Sequence, residues 1–159
     1  MPAVPPSSRE RYAVDEARHS VVLTRQLAVG VEQAFAFWTE PRHLRHWWDA
    51  SGEPLVECSI DLRVGGEMLF VGPSEDMPPF SGRYLEIAPP HRLVFEAMGA
   101  TGTVSIQASD SGSRVDVEIR APSAEALQAM LNIGVAIGTA QTLDQLQAYA
   151  QAAAGAPSR

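Results

Sequence analysis

The 159-residue sequence contains no lysine; its 12 basic residues are all arginine, against 19 aspartates and glutamates. That absence excludes a lysine Schiff base, a lysine general base and the lysine of a phosphate-binding P-loop. A net charge of -7 with scattered arginines also argues against nucleic acid as a partner, because such binding runs on counterion release at clustered basic side chains. Cys58 is the single cysteine, so no intrachain disulfide can form, and its apolar-flanked position reads as a buried structural thiol. No apolar run approaches the roughly 20 residues of a membrane span. The most apolar stretch, residues 129–140, is interrupted by Asn132. Residues 1–18 carry Pro2, Pro5, Pro6 and mixed charges without the apolar core of a signal peptide, so they are expected to form a flexible arm on a cytoplasmic protein.

With 45% hydrophobic and 19% charged residues, the chain has the balance of one globular domain with one core. Residues 19–29 are rich in Val, Leu and Thr and predict a strand. The period then changes. Val31, Ala34, Phe35 and Trp38 fall at i, i+3, i+4 and i+7, the stripe of an amphipathic helix. Thr39-Glu40-Pro41 ends that helix and starts a second short one reaching about Trp48, since proline suits a first helical turn.

Residues 53–121 carry turn clusters such as Val64-Gly65-Gly66, Ala88-Pro89-Pro90 and Met98-Gly99, separated by strand-sized runs. In the last two runs Val104, Ile106 and Ala108, then Val115, Val117 and Ile119, alternate with polar residues. This period of two buries one face of an antiparallel sheet and wets the other, so something must cover the apolar face. A cover is available after Pro122, where Ser123 is a candidate N-cap and helical spacing persists to Ala153. Such a helix would run about 46 Å at 1.5 Å per residue. Gly134 and Gly138 lie one turn apart inside it, which calls for either close backbone packing or space left for a ligand.

Three segments carry a resemblance. Thr39-Glu40-Pro41 with Leu44 and Trp47-Trp48 is similar to the "T-(D/E)-P…L…WW" segment of proteins related to the C-terminal domain of the heat-shock-protein-90 ATPase activator. Asp61-Leu62-Arg63-Val64-Gly65-Gly66 resembles that family's "D-L-R-x-G-G" turn. Gly82-Arg83-Tyr84-Leu85-Glu86-Ile87, then Pro89-Pro90 and Arg92-Leu93-Val94, resembles its "G-x-(Y/V)-x-E-I-x-P-P-x-R-L-(V/I)" hairpin. The resemblance implies an α+β helix-grip fold of the START and Bet v 1-like (SRPBCC) superfamily. In that fold a curved antiparallel sheet of about six or seven strands wraps a long C-terminal helix, with two short helices after the first strand, here over residues 19–153 with a tail at 154–159. One position departs from the family pattern: Thr139 follows Gly138 where relatives often carry tryptophan, which leaves the shape of any cavity open.

The fold implies a cavity between sheet and C-terminal helix. Its expected lining is Trp38, Trp47, Trp48, Phe70, Phe80, Tyr84, Phe95, Met130, Gly134 and Ile137, with Arg63 and Glu67 as polar groups that could point inward. Aromatic walls of this kind suit a small hydrophobic or amphipathic partner, and that is the leading expectation. The alternative is a cyclase-, dehydratase- or hydrolase-like enzyme using the same cavity, which would need one of Arg63, Glu67 or Tyr84 as its polar group. A chaperone-activating partner, implied by the family name, ranks last, and a homodimer is compatible with the sequence. No catalytic residues are assigned, no cofactor is implied, and no membrane partner is expected. His43, His46 and Asp49 share helical spacing, but with no HExxH motif and no cysteine pair they are read as a polar helix surface rather than a metal site.

Overall fold

The computed structural model describes residues 12–155. Strands β1 (Ala13–Asp15) and β2 (Ser20–Leu27) precede two short helices, α1 (Val31–Thr39) and α2 (Pro41–Leu44). Six strands follow: β3 (Glu57–Ile60), β4 (Glu67–Val71), β5 (Phe80–Ala88), β6 (Arg92–Ala97), β7 (Ala100–Ser109) and β8 (Gly112–Arg120). Two helices, α3 (Ala124–Asn132) and α4 (Val135–Gly155), complete the order. The strands form an antiparallel sheet in the order β1-β2-β8-β7-β6-β5-β4-β3.

Register converts the sequence alternation into a buried face. Leu23, Val117, Val104 and Leu93 stand side by side on four neighbouring strands, and each is at most 5% exposed. The alternate residues form the outer face, where Glu67, Arg83, Glu96 and Thr101 are register neighbours. Hairpin chemistry fixes that register. Met98 and Gly99 both take positive φ, 53° and 83°, the two-residue turn whose twist matches the strands it joins. Leu85 is the extra residue of a bulge between Tyr84 and Glu86, which bends β5.

The sheet has eight strands rather than six or seven, because part of the expected arm is ordered. Val14 pairs with Val21 and Asp15 with Ser20, and Arg18 Nε donates to Glu118 Oε2 at 2.7 Å. A three-residue edge strand is held by backbone pairing and one ion pair, so it leaves little hydrophobic signal. The rest of that arm, residues 1–11, and residues 156–159 of the tail lie outside the described residues.

The C-terminal helix is also not continuous. Ser123 caps α3 as expected, its hydroxyl accepting from the Ala126 N–H at 3.1 Å, but α3 stops at Asn132 and Gly134 takes φ +86° before α4 begins. Close packing is therefore not what Gly134 serves: a Cβ there would meet nothing within 4 Å, and what the site demands is the left-handed backbone. Gly138 likewise borders open space. At 21 residues, α4 is about 31 Å long. No helix among the described residues is long and apolar enough to cross a membrane.

Candidate functional site

Two halves of the inner face are covered differently. Over β2, α4 presents Ala136, Ala140, Leu143, Leu146 and Ala150, all buried at one helical period. The small alanines let the helix come close, and Arg25 lies beneath it with a fully buried side chain. Its Nε donates to Asp144 Oδ1 at 2.9 Å, while its terminal nitrogens donate to the carbonyls of Thr24 at 2.9 Å and Ala140 at 3.2 Å. A buried guanidinium needs such partners to offset its desolvation. Arg25 is thus the arginine with a role inside the fold. The signal for it was present in the period-two pattern, which puts Arg25 on the same face as Val21, Leu23 and Leu27.

Over β4, β5 and β6 the cover is aromatic. Helix α1, packed against β7 and β8, contributes Trp38, and the residues after α2 bring in Trp47 and Trp48. Helix α4 fixes that segment by its polar side chains. Gln145 Nε2 donates to the carbonyls of Trp47 at 2.9 Å and Asp49 at 2.7 Å, Thr142 Oγ1 to Trp48 at 3.2 Å and Gln141 Nε2 to Ala50 at 2.8 Å. Trp47 is 1% exposed and its Nε1 donates to the Phe37 carbonyl at 3.2 Å. Trp38 meets Trp47 edge-on, with ring centroids 4.8 Å apart.

Between these indoles and the sheet lies an apolar gap of about 10 Å³, walled by Trp38, Leu44, Trp48, Met68, Phe70, Tyr84, Leu93 and Phe95. Five of the expected lining residues, Trp38, Trp48, Phe70, Tyr84 and Phe95, therefore converge. Phe80 stands behind them, stacked on Phe70 at 5.5 Å and edge-on to Trp48 at 5.0 Å, and Trp47 braces Trp38. Met130 packs at the margin of the core and does not wall the gap. Gly134 and Ile137 do not reach it either. With Ala136 and Ala140 seated on the sheet, the next position along the helix turns outward, and Ile137 is 54% exposed. Leu44, Met68 and Leu93 were missed as wall residues, although Met68 shares strand parity with Phe70, and Leu93 with Phe95.

The expected polar groups are elsewhere. The Arg63 side chain is 76% exposed and its Nε donates to Asp61 Oδ2 at 2.8 Å. Glu67 faces outward because its neighbours Met68 and Phe70 alternate inward. Around the gap, burial raises the Tyr84 phenol well above its ordinary value and pushes the Cys58 thiol up to about 11. Both stay neutral at physiological pH, so neither supplies a base or thiolate. One donor is conspicuous: Trp38 Nε1 is buried without a hydrogen-bond partner.

His43 and His46 are used structurally. His43 Nδ1 pairs with the Tyr149 hydroxyl at 2.8 Å, and His46 stacks on the Tyr149 ring at 6.1 Å. Asp49 Oδ2 accepts from the Ser51 backbone N–H at 3.1 Å. A larger concavity, about 670 Å³, lies on the outer face among Glu67, Arg83, Glu96, Ser81 and Met98. It is open to water, and its Arg83–Glu96 pair at 3.7 Å is exposed on both sides, so solvent screens its charges. The gap, not this depression, is the candidate site.

A curved antiparallel sheet with two short helices after its first long strand and a long helix at the C-terminus is the helix-grip α+β fold of Bet v 1-like proteins, a domain of the ligand-binding type. Within that class, the chain belongs to the Activator of Hsp90 ATPase homolog 1-like protein family, whose model matches residues 28–151. A solved structure of a protein from Nitrosomonas europaea is similar at 25% identity with a TM-score of 0.78, covering 88% of this chain and 98% of that one. One from Arthrobacter aurescens is similar at 21% identity and TM-score 0.76, covering 89% and 91%. An AHSA1-like protein from Aeromonas hydrophila is similar at 20% identity and TM-score 0.70, covering 84% and 93%. No curated protein matches the chain.

Proposed function

We propose that the protein binds a small hydrophobic or amphipathic molecule between the sheet and the aromatic cover. The observation that carries this reading is the gap itself. Five aromatic side chains from α1, the segment after α2, β4, β5 and β6 meet around unfilled apolar space. At about 10 Å³ the space holds no more than one water, so binding requires the wall to part. The wall is suited to parting at its partly buried rings, Phe95 on the sheet and Trp48 on the cover. A catalytic use of the same gap would rest on Tyr84 alone, because Arg63 and Glu67 face solvent while the neutral Tyr84 phenol lies in the wall.

Thermal shift with a panel of laurate, naphthalene and 2-naphthol tests the reading. A ligand that binds only the folded state at 100 times its Kd adds about 2.7 kcal/mol, several degrees in Tm for a domain of this size. Quenching of tryptophan fluorescence should titrate with the same Kd. No shift and no quenching across the panel would overturn the proposal.

A further inference from the structure

We propose that the ligand of this gap is a neutral apolar molecule carrying one hydrogen-bond acceptor of the carbonyl type, held by Trp38 Nε1. The inference rests on the binding role proposed above and adds the ligand's polarity to it. Two neighbouring indoles differ in one respect. Trp47 Nε1 has a backbone carbonyl as its partner, whereas Trp38 Nε1, on a residue 5% exposed that walls the gap, has none. A buried donor is ordinarily met by backbone, water or ligand, because leaving it unpaired is costly. Backbone does not meet it here. Water meets it poorly, since the gap is at the lower size limit for one molecule and its wall is almost wholly apolar.

The remaining partner is an acceptor brought by the ligand. An indole N–H donates only, which selects a ligand with a lone pair, such as a ketone, aldehyde or ester, over an ammonium group. A carboxylate is also disfavoured, because no cation walls the gap and the one buried arginine among the described residues, Arg25, is already bonded to Asp144. A site built to hydrogen-bond its ligand discriminates strongly against an analogue lacking the complementary group, since its own polar group is then left unpaired.

Matched ligand pairs test this: acetophenone against α-methylstyrene, and benzophenone against 1,1-diphenylethylene, which exchange C=O for C=CH2 with little change of shape. Kd for each would be measured by calorimetry or fluorescence on the full chain and on Trp38→Phe. The wild type is expected to prefer each ketone by about tenfold or more, and the preference should fall to about one in the variant. The carbonyl stretch of the bound ketone should move to lower wavenumber in the wild type only. Because the readout is a ratio within one protein, a general loss of affinity in the variant does not imitate the result. If Trp38→Phe fails to fold, 3-benzothienylalanine at position 38 keeps the ring shape and removes the N–H. Equal binding of ketone and hydrocarbon to the wild type would overturn this inference and leave the binding role standing. Binding of neither member of either pair would overturn this inference, and joined by no shift or quenching across the first panel it would overturn both.

Discussion

On β2 the inner face is sealed by α4, whose alanines seat against aliphatic side chains; β7 and β8 pack against α1, and the buried Arg25 is paired with Asp144. On β4, β5 and β6 the same sheet is covered by aromatic rings that leave a gap and an unpaired indole N–H. Both halves are lined by buried hydrophobic side chains, so hydrophobicity alone does not separate them. Side-chain shape does. Alanine and branched aliphatic chains interdigitate with few voids, whereas large planar rings meeting edge-on at 4.8 to 5.0 Å close around space they cannot fill. A binding function fits the second half for the same reason that stability comes from the first.

The comparison breaks most visibly under truncation. Leu23→Ala, in the sealed half, should cost about 3 to 4 kcal/mol, the range for a fully buried leucine that leaves a cavity. Phe95→Ala, beside existing space and partly exposed, should cost about 1 to 2 kcal/mol despite removing a larger side chain. Urea unfolding of the two variants measures the difference, and equal losses would mean the halves are packed alike. Next in size is Asp144→Ala, expected to cost about 2 to 3 kcal/mol by leaving a buried guanidinium short of its anion, below the upper range because the Asp144 side chain is 40% exposed. Arg25→Met should cost less, since it removes the charge along with its need for a partner.

The two helix glycines give a smaller and opposite pair. Gly134→Ala should destabilise by about 1 to 2 kcal/mol because φ +86° is strained for any side chain. Gly138→Ala, in an ordinary helical position with open space around it, should stabilise by about 0.5 to 1 kcal/mol. Shifts in Tm of opposite sign would establish that backbone angle, not crowding, decides.

The smallest effect is on pH. Burial, with Arg42 next in weight, holds the His43 imidazole below its ordinary value. The unfolded chain therefore binds the proton more readily. The contribution of His43 to stability is full above the ordinary histidine range and is lost as pH falls through that range toward the folded value, then levels off. Urea midpoints between pH 8 and pH 5 should show this slope in the wild type and a shallower one in His43→Phe.

Much of the architecture was legible because it follows from local periodicity. The strands of residues 53–121, the stripe on α1, the proline start of α2 and the Ser123 cap each depend on a few adjacent residues. Of the site, the aromatic wall was legible through Trp38, Trp48, Phe70, Tyr84 and Phe95. Ile137 was misplaced because its orientation depends on how α4 rotates against β2, a matter of which neighbours are alanine. Arg63 and Glu67 were candidates to point inward, whereas alternation with Met68 sends Glu67 out and Arg63 is exposed beside Asp61.

By itself, then, the sequence determined which faces are apolar, where the chain turns, and that Gly134 and Gly138 interrupt a helical pattern. Those are properties of a residue and its near neighbours. Only the tertiary structure decided that Gly134 divides two helices, that Arg25 is buried against Asp144, and that the aromatic space shrinks to a gap of about 10 Å³ with Trp38 Nε1 unpaired. Each of these depends on contacts between segments far apart in the chain, 119 residues apart for Arg25 and Asp144, where small differences in side-chain volume set how closely the layers approach.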